Sequence, residues 1–222
     1  MAAPDIHINE HLDTILKGAW ESNINNQSRW VIFSDLHMGD GSTKDDFKPN
    51  SELFQCALRD YYLKRNYSLM LNGDVEELQR FSLDVILKNW NLVYKLFDAF
   101  ANKNRLAKTY GNHDLQLKVQ KPPYDYKMSE ACKLSYEGDH IFIYHGHQAS
   151  KKYQLQNDLV GFTLKYFANP LRIKDYSVSH SSKKQYKIEK RAYEHAIKRN
   201  QISIIGHTHR PLFESLHKVD RL

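Results

Sequence analysis

With only two cysteines, Cys56 and Cys132, the chain has no disulfide framework to build on, and it reads as a reduced cytosolic protein. Long apolar runs are missing too, so nothing in it is expected to span a bilayer. The first twenty residues carry acidic side chains and lack the basic start and apolar middle of a secretory signal. No internal repeat or low-complexity tract is present. Together these absences exclude a disulfide-stapled secreted module, a membrane span and a solenoid. They lead us to expect a cytoplasmic protein.

What is present is ordinary globular composition, 41% apolar and 26% charged. A chain of 222 residues can bury one substantial core, so a single domain over 1–222 is expected. The formal charge is +6, but it is unevenly placed. Residues 150–200 hold 12 Lys/Arg against 4 Asp/Glu, a net of +8, which leaves −2 for the rest. Such local charge suits an anionic partner, or it is the solvated face of a helix.

Periodicity sets out the elements. Residues 9–20 read as a short helix capped by Asn9, with Leu12, Leu16 and Trp20 on one face. Trp30–Ser34, Tyr67–Leu71, Leu106–Tyr110 and Gln201–Ile205 read as short buried strands. Residues 133–137 and 140–144 flank Gly138-Asp139 as a hairpin. Helices are expected over 51–65, over 79–102 with Val85, Leu92, Leu96 and Phe100 on a repeating face, over 150–168 and over 182–200. Asn169-Pro170 breaks the third of these.

Five of the expected strands end in turns rich in Asp, Asn, His and Gly: Asp35-Leu36-His37, Gly73-Asp74, Gly111-Asn112-His113-Asp114, His145-Gly146-His147 and Gly206-His207-Thr208-His209. In open α/β sheets, ligands bind at the carboxyl ends of strands, so these turns deliver polar side chains to one rim. Each block alone has an ordinary explanation as a turn or a packed histidine; the ordered set of five is far more specific. Oxygen ligands mixed with imidazoles suit Mn²⁺, Fe or Zn²⁺ rather than Ca²⁺. Two such ions can clamp a phosphoryl group and share an attacking hydroxide. One carboxylate must then bridge them, and Asp74 is the best candidate.

The blocks, in this order, resemble the calcineurin-like metallophosphoesterases, whose signature is D-x-H, G-D, G-N-H-[DE], a later His and G-H-x-H. The resemblance runs from Trp30 to Pro211. It implies a four-layer αββα sandwich and a metal-dependent hydrolase of a phosphate ester or pyrophosphate, with a dinuclear centre and a metal-bridging hydroxide. By the same resemblance Asp74 bridges; Asp35, His37 and His209 complete one metal site, and Asn112, His145 and His207 the other. Mn²⁺ is the leading cofactor, with Fe or Zn²⁺ as alternatives. His113 faces the scissile phosphate as the catalytic residue, neutralising charge or protonating the leaving oxygen. Asp114 orients His113 or its loop, or satisfies backbone N–H groups as a turn residue. Asp40 is expected to serve a turn, and His147 to end its strand.

The long basic insertion between His147 and Gly206 resembles the layout of bacterial UDP-2,3-diacylglucosamine hydrolases, which also end in G-H-T-H-R-P. A cap over about 150–200 could shield the site, or lay acyl chains along Leu155, Leu159 and Phe162. The substrate is then a phosphorylated small molecule or a lipid-linked one, with peripheral contact at the inner membrane surface through the cap. Those hydrolases carry Arg where this chain has His113, which favours the broader phosphoesterase assignment. Family members continue past G-H-x-H with further strands, whereas this sequence stops at Leu222; the chain is either longer in nature or an abbreviated sandwich. Two alternatives stand beside the enzyme. A non-catalytic scaffold on this fold, as in the retromer coat, would lack ligands, and none is missing here. A nuclease or nucleic-acid-binding role is permitted by the basic segment but lacks a recognition motif.

Overall fold

The computed structural model describes residues 6–120, 122–150 and 181–211. The expected helix over 150–168 and its acyl-facing positions lie almost wholly outside the described residues.

In chain order the elements are α1 (Ile6–Lys17), β1 (Trp20–Asn23), β2 (Trp30–Phe33), α2 (Ser51–Cys56, running on as a π-helical turn over Ala57–Tyr62), β3 (Ser68–Asn72), α3 (Leu83–Asn89), α4 (Asn91–Ala101), β4 (Leu106–Thr109), β5 (Lys127–Ser129), β6 (Ala131–Tyr136), β7 (Asp139–Tyr144), α5 (Ser182–Arg199) and β8 (Ile202–Ile204). They make two four-stranded sheets, ordered β2-β3-β4-β5 and β1-β6-β7-β8. The first is parallel throughout; in the second only the β6–β7 hairpin is antiparallel.

Alternation along the strands builds the layers. Met70 and Ala107 point from the first sheet into a shared core with Cys132, Leu134 and Ile143 of the second. Their neighbours Leu69, Leu71 and Leu106 point the other way, against Phe54, Val93, Phe97 and Phe100 of the helices. On the far side Phe142 and Tyr144 meet Ile8, Leu12 and Ile15 of α1 and Ile188 and Ala192 of α5. Strands covered on both faces read as continuous apolar runs, which is why Leu69–Met70–Leu71 shows no polar alternation. The result is the α/β sandwich expected from the motifs, with helices outside both sheets.

Several expectations need correcting. α1 begins before Asn9, which therefore lies inside the helix, and its buried stripe is Ile8, Leu12 and Ile15. Trp20 is not on that helix; it opens β1, which pairs with β6. The helix expected over 79–102 is two helices broken at Trp90, whose indole N–H donates to Gly39 O (3.1 Å) and Asp45 Oδ2 (2.9 Å). The break resets the helical phase. Val93, Tyr94, Phe97 and Phe100 face the core, while Val85 and Leu92 are exposed. Residues 182–199 form α5, which packs beside α1, and residues 151–180 of the expected cap lie outside the described residues.

Candidate metal centre

Parallel pairing brings the ends of β2, β3 and β4 to one edge, and the ends of β7 and β8 arrive opposite them. The β2–β3 pairing continues past the strands: Asp35 N–H donates to Gly73 O (3.1 Å), His37 N–H to Asp74 O (2.9 Å) and Met38 N–H to Val75 O (2.9 Å). Asn72 stitches the two sheets together. Its amide nitrogen donates to Tyr144 O (3.1 Å), its Oδ1 accepts from Thr109 Oγ1 (2.9 Å), and its backbone carbonyl accepts from Ser34 Oγ (2.8 Å).

The turns at this rim have an unusual backbone. Among the described residues nine non-glycine positions have positive φ, and five of them are Asp35 (57°), His37 (48°), Asp74 (51°), His207 (68°) and His209 (52°). The other four are three asparagines, which tolerate this region, and Glu137 in the β6–β7 turn. A left-handed residue costs about 1–2 kcal/mol unless it is glycine, and less for Asn, Asp and His, which visit this region more readily than other side chains. Such strain persists only where the surroundings over-determine it, as at functional sites. The glycines of the motifs serve closeness as well. A Cβ on Gly206 would meet Ser34 Oγ at 2.1 Å and Asp35 Oδ2 at 2.5 Å. One on Gly111 would meet Asp74 Oδ1 at 2.0 Å.

Six of the seven expected ligands converge. Asp35, His37 and His209 present ligand atoms within 4.8 Å of one another, and so do Asp74, His145 and His207. His113, expected to face substrate, groups with His37 and Asp74 at the same spacing. The two triads interlock, because Asp74 Oδ2 lies 3.0 Å from His145 Nε2 and 3.9 Å from His37 Nε2. The seventh, Asn112, sits on the loop between Gly111 and His113, and its Oδ1 is buried with no hydrogen-bond partner.

Tautomers can be assigned from the neighbours. A carbonyl or carboxylate only accepts, so the ring nitrogen against it carries the proton. His145 Nδ1–H therefore donates to Asn72 O (2.8 Å), and His37 Nδ1–H to Glu77 Oε2 (3.0 Å). Each leaves its Nε2 aimed at the rim. For His145 that nitrogen lies 3.0 Å from Asp74 Oδ2, so by the same rule it carries a proton as well, in line with its raised pKa. For His37 it confronts His209 Nε2 at 3.4 Å. Imidazoles crowded against carboxylates in this way hold protons that a divalent cation can displace. The donor set and its orphaned atoms thus fit a metal.

Proton equilibria give the same picture. Burial depresses the His145 imidazolium, but Asp74 and Asp35 overcome this and push it up to about 10. Burial would raise Asp74, yet its histidine neighbours, His145 first, hold it well below the carboxylate range. Burial works against Asp35 too, and His209 and His145 bring it down to about 2. For His207, burial and then the His145 charge outweigh the pull of Asp74 and Asp35 and lower it to about 3.

Several residues escaped the sequence reading. Glu77 is 3% exposed and accepts from both His37 Nδ1 and His113 Nδ1, the latter at 2.8–2.9 Å. Its position three residues after Asp74 was the only available signal. Glu76 is fully buried against the Lys108 ammonium and accepts from Tyr94 Oη (2.7 Å) and Tyr124 Oη (3.0 Å). This buried pair braces β4 against the turn that carries Asp74; a lone charge there would be strongly destabilising. Asp114 takes the turn role left open for it, accepting from Gly111 N–H (2.6 Å) and Val75 N–H (2.9 Å). Asp40 Oδ1 likewise accepts from Ser42 N–H (3.0 Å) within its own loop. His147 is buried in ring contact with His145 and His207.

A family model described as calcineurin-like phosphoesterase matches residues 28–211. No curated protein matches the chain.

Proposed function

The chain belongs to the calcineurin-like phosphoesterase family, and on that premise we propose that it hydrolyses a phosphate ester or pyrophosphate at a dinuclear divalent-metal centre. Asp35, His37 and His209 would hold one ion, and Asn112, His145 and His207 the other, with Asp74 shared. Mn²⁺ is the leading occupant, with Fe or Zn²⁺ as alternatives. The observation that carries this reading is the pair of interlocked triads, whose imidazole nitrogens face carboxylate oxygens. When bound, the ions supply a water acidic enough to act as a nucleophile at neutral pH, and positive charge against the phosphoryl oxygens.

The chain's own groups complete the reaction. Glu77 fixes the His113 ring through Nδ1, leaving Nε2 toward the rim, 4.0 Å from Asp74 Oδ2. Burial lowers His113, but Glu77 and Asp74 raise it on balance, which favours a proton on Nε2 for the leaving oxygen. The substrate is a phosphorylated small molecule or a lipid-linked one. His113, in place of the Arg of the diacylglucosamine hydrolases, favours the former. The whole chain is read as one domain, with the basic insertion entering between β7 and β8 and α5 as its second part. Among the described residues no helix is long and apolar enough to cross a membrane.

The test is release of p-nitrophenol from p-nitrophenyl phosphate and bis-p-nitrophenyl phosphate by metal-stripped protein, with and without added Mn²⁺. Mn²⁺-dependent turnover is expected. A folded sample inert with Mn²⁺, Fe²⁺ and Zn²⁺ on both substrates would overturn the reading.

A further inference from the structure

The two triads are not equally secured. Asp74, His145 and His207 are all buried, and His145 is pinned by the Asn72 carbonyl. In the other triad the His209 side chain is 41% exposed. His209 sits on the turn after β8 with left-handed backbone, so its place depends on what grips that turn.

α5 does so from both sides of the ligand. Gln185 Nε2–H donates to the carbonyl of Thr208 (2.8 Å), one residue before His209. One helical turn on, Glu189 is buried, and its Oε2 lies 3.3 Å from the Arg210 guanidinium, one residue after His209. Positions four apart share a helix face, so a single face of α5 holds both flanks. The same helix reaches the exit of β7, where Arg191 Nη1 donates to Ala149 O (3.1 Å). A buried carboxylate costs stability unless it is paired, and an apolar residue would serve packing here as well or better. Glu189 therefore needs a reason beyond the core.

We propose that Gln185 and Glu189 are positioning residues that clamp the turn around His209 and thereby set the affinity of the Asp35–His37–His209 metal position, leaving the buried position independent of them. The inference rests on the dinuclear reading above. Partners that orient a ligand are worth about 10–100-fold in metal affinity.

The test titrates metal-stripped full chain with Mn²⁺, following heat and the electron paramagnetic resonance signal. Wild type is expected to bind two ions and to show a spin-coupled pair. Gln185→Met/Glu189→Leu should keep one ion at wild-type affinity and bind the second about 10–100-fold more weakly. At intermediate Mn²⁺ its spectrum should be that of an isolated ion. Its thermal stability should stay near wild type, because the buried charge is exchanged for an apolar residue. Glu189→Gln, which keeps the side-chain length and an oxygen toward Arg210, should weaken the second ion less than Glu189→Leu. Should the double variant not fold, Gln185→Met alone takes away the hydrogen bond to Thr208 O and is read in the same titration. Two ions at wild-type affinity in the variants, or parallel loss of both, would overturn the clamp. Fewer than two ions in wild type would overturn the dinuclear reading itself.

Discussion

Gly111→Ala probes the centre with a single methyl group. Gly111 is not among the residues with positive φ, so its backbone accepts alanine and any effect comes from the added carbon. That carbon would sit 2.0 Å from Asp74 Oδ1 and 2.2 Å from the Asp74 amide nitrogen. Carbon and oxygen approach to about 3.3 Å, so roughly 1.3 Å of movement is required. The nearby nitrogen is backbone, so a rotation of the carboxylate alone cannot supply it. Asp74 is the shared ligand of the proposed centre, and a displacement of about 1 Å costs on the order of 100-fold in rate. Overpacking costs about 1–3 kcal/mol, and each kcal/mol lowers the melting temperature of a chain this size by about 2–4 °C. The expected result is a folded protein with a modestly lower melting temperature, depleted in both metals and about 100-fold slower on p-nitrophenyl phosphate. Gly18→Ala is the control: its nearest contact would be 3.6 Å, and no change is expected. A Gly111→Ala protein with full metal content and wild-type kcat/KM would refute the reasoning.

Asp74→Asn should abolish loading of both ions, read by elemental analysis, because one carboxylate lies against both triads. His113→Ala should retain its metals yet lose turnover; loss of metal instead would move His113 among the ligands, with which it already groups. Glu77→Gln should lower kcat and shift its alkaline limb to lower pH, since the carboxylate raises His113; an unchanged pH–rate profile would count against it. On the opposite face, Asp13 of α1 is held down to about 2, first by Arg199 and then by His195 of α5. A depressed carboxylate stabilises the fold above its ordinary pKa of 3.8, and that contribution is lost as pH falls through about 2. The difference in melting temperature between wild type and Asp13→Asn should therefore be largest near neutrality and close by about pH 2.

The strands that deliver the rim were legible because they are short, apolar and terminated by polar turns, as in Trp30–Phe33 followed by Ser34-Asp35. β1 (Trp20–Asn23) and β5 (Lys127–Ser129) were not. Each is an edge strand of three or four residues, largely polar, whose existence rests on pairing with β6 or β4 rather than on its own pattern. Of the face expected over 79–102, Phe100 is buried and Leu96 packs on the core, whereas Val85 and Leu92 are exposed, because the helix is broken at Trp90. At the site, Asp and His could be found since they stand in blocks along the chain. Glu77 and Asn72 could not, because their partners lie 36 or more residues away and only the fold brings them together.

The left-handed turns carry a practical consequence for anyone engineering this protein. Folding disfavours Asp35, His37, Asp74, His207 and His209 where they stand, whereas glycine would accept the same torsions at no steric cost. A screen for heat tolerance that ignores turnover should therefore collect glycines at these positions and deliver hardier but inert variants. Keeping a catalytic assay in every round is the safeguard, and robustness is better sought at residues remote from the rim.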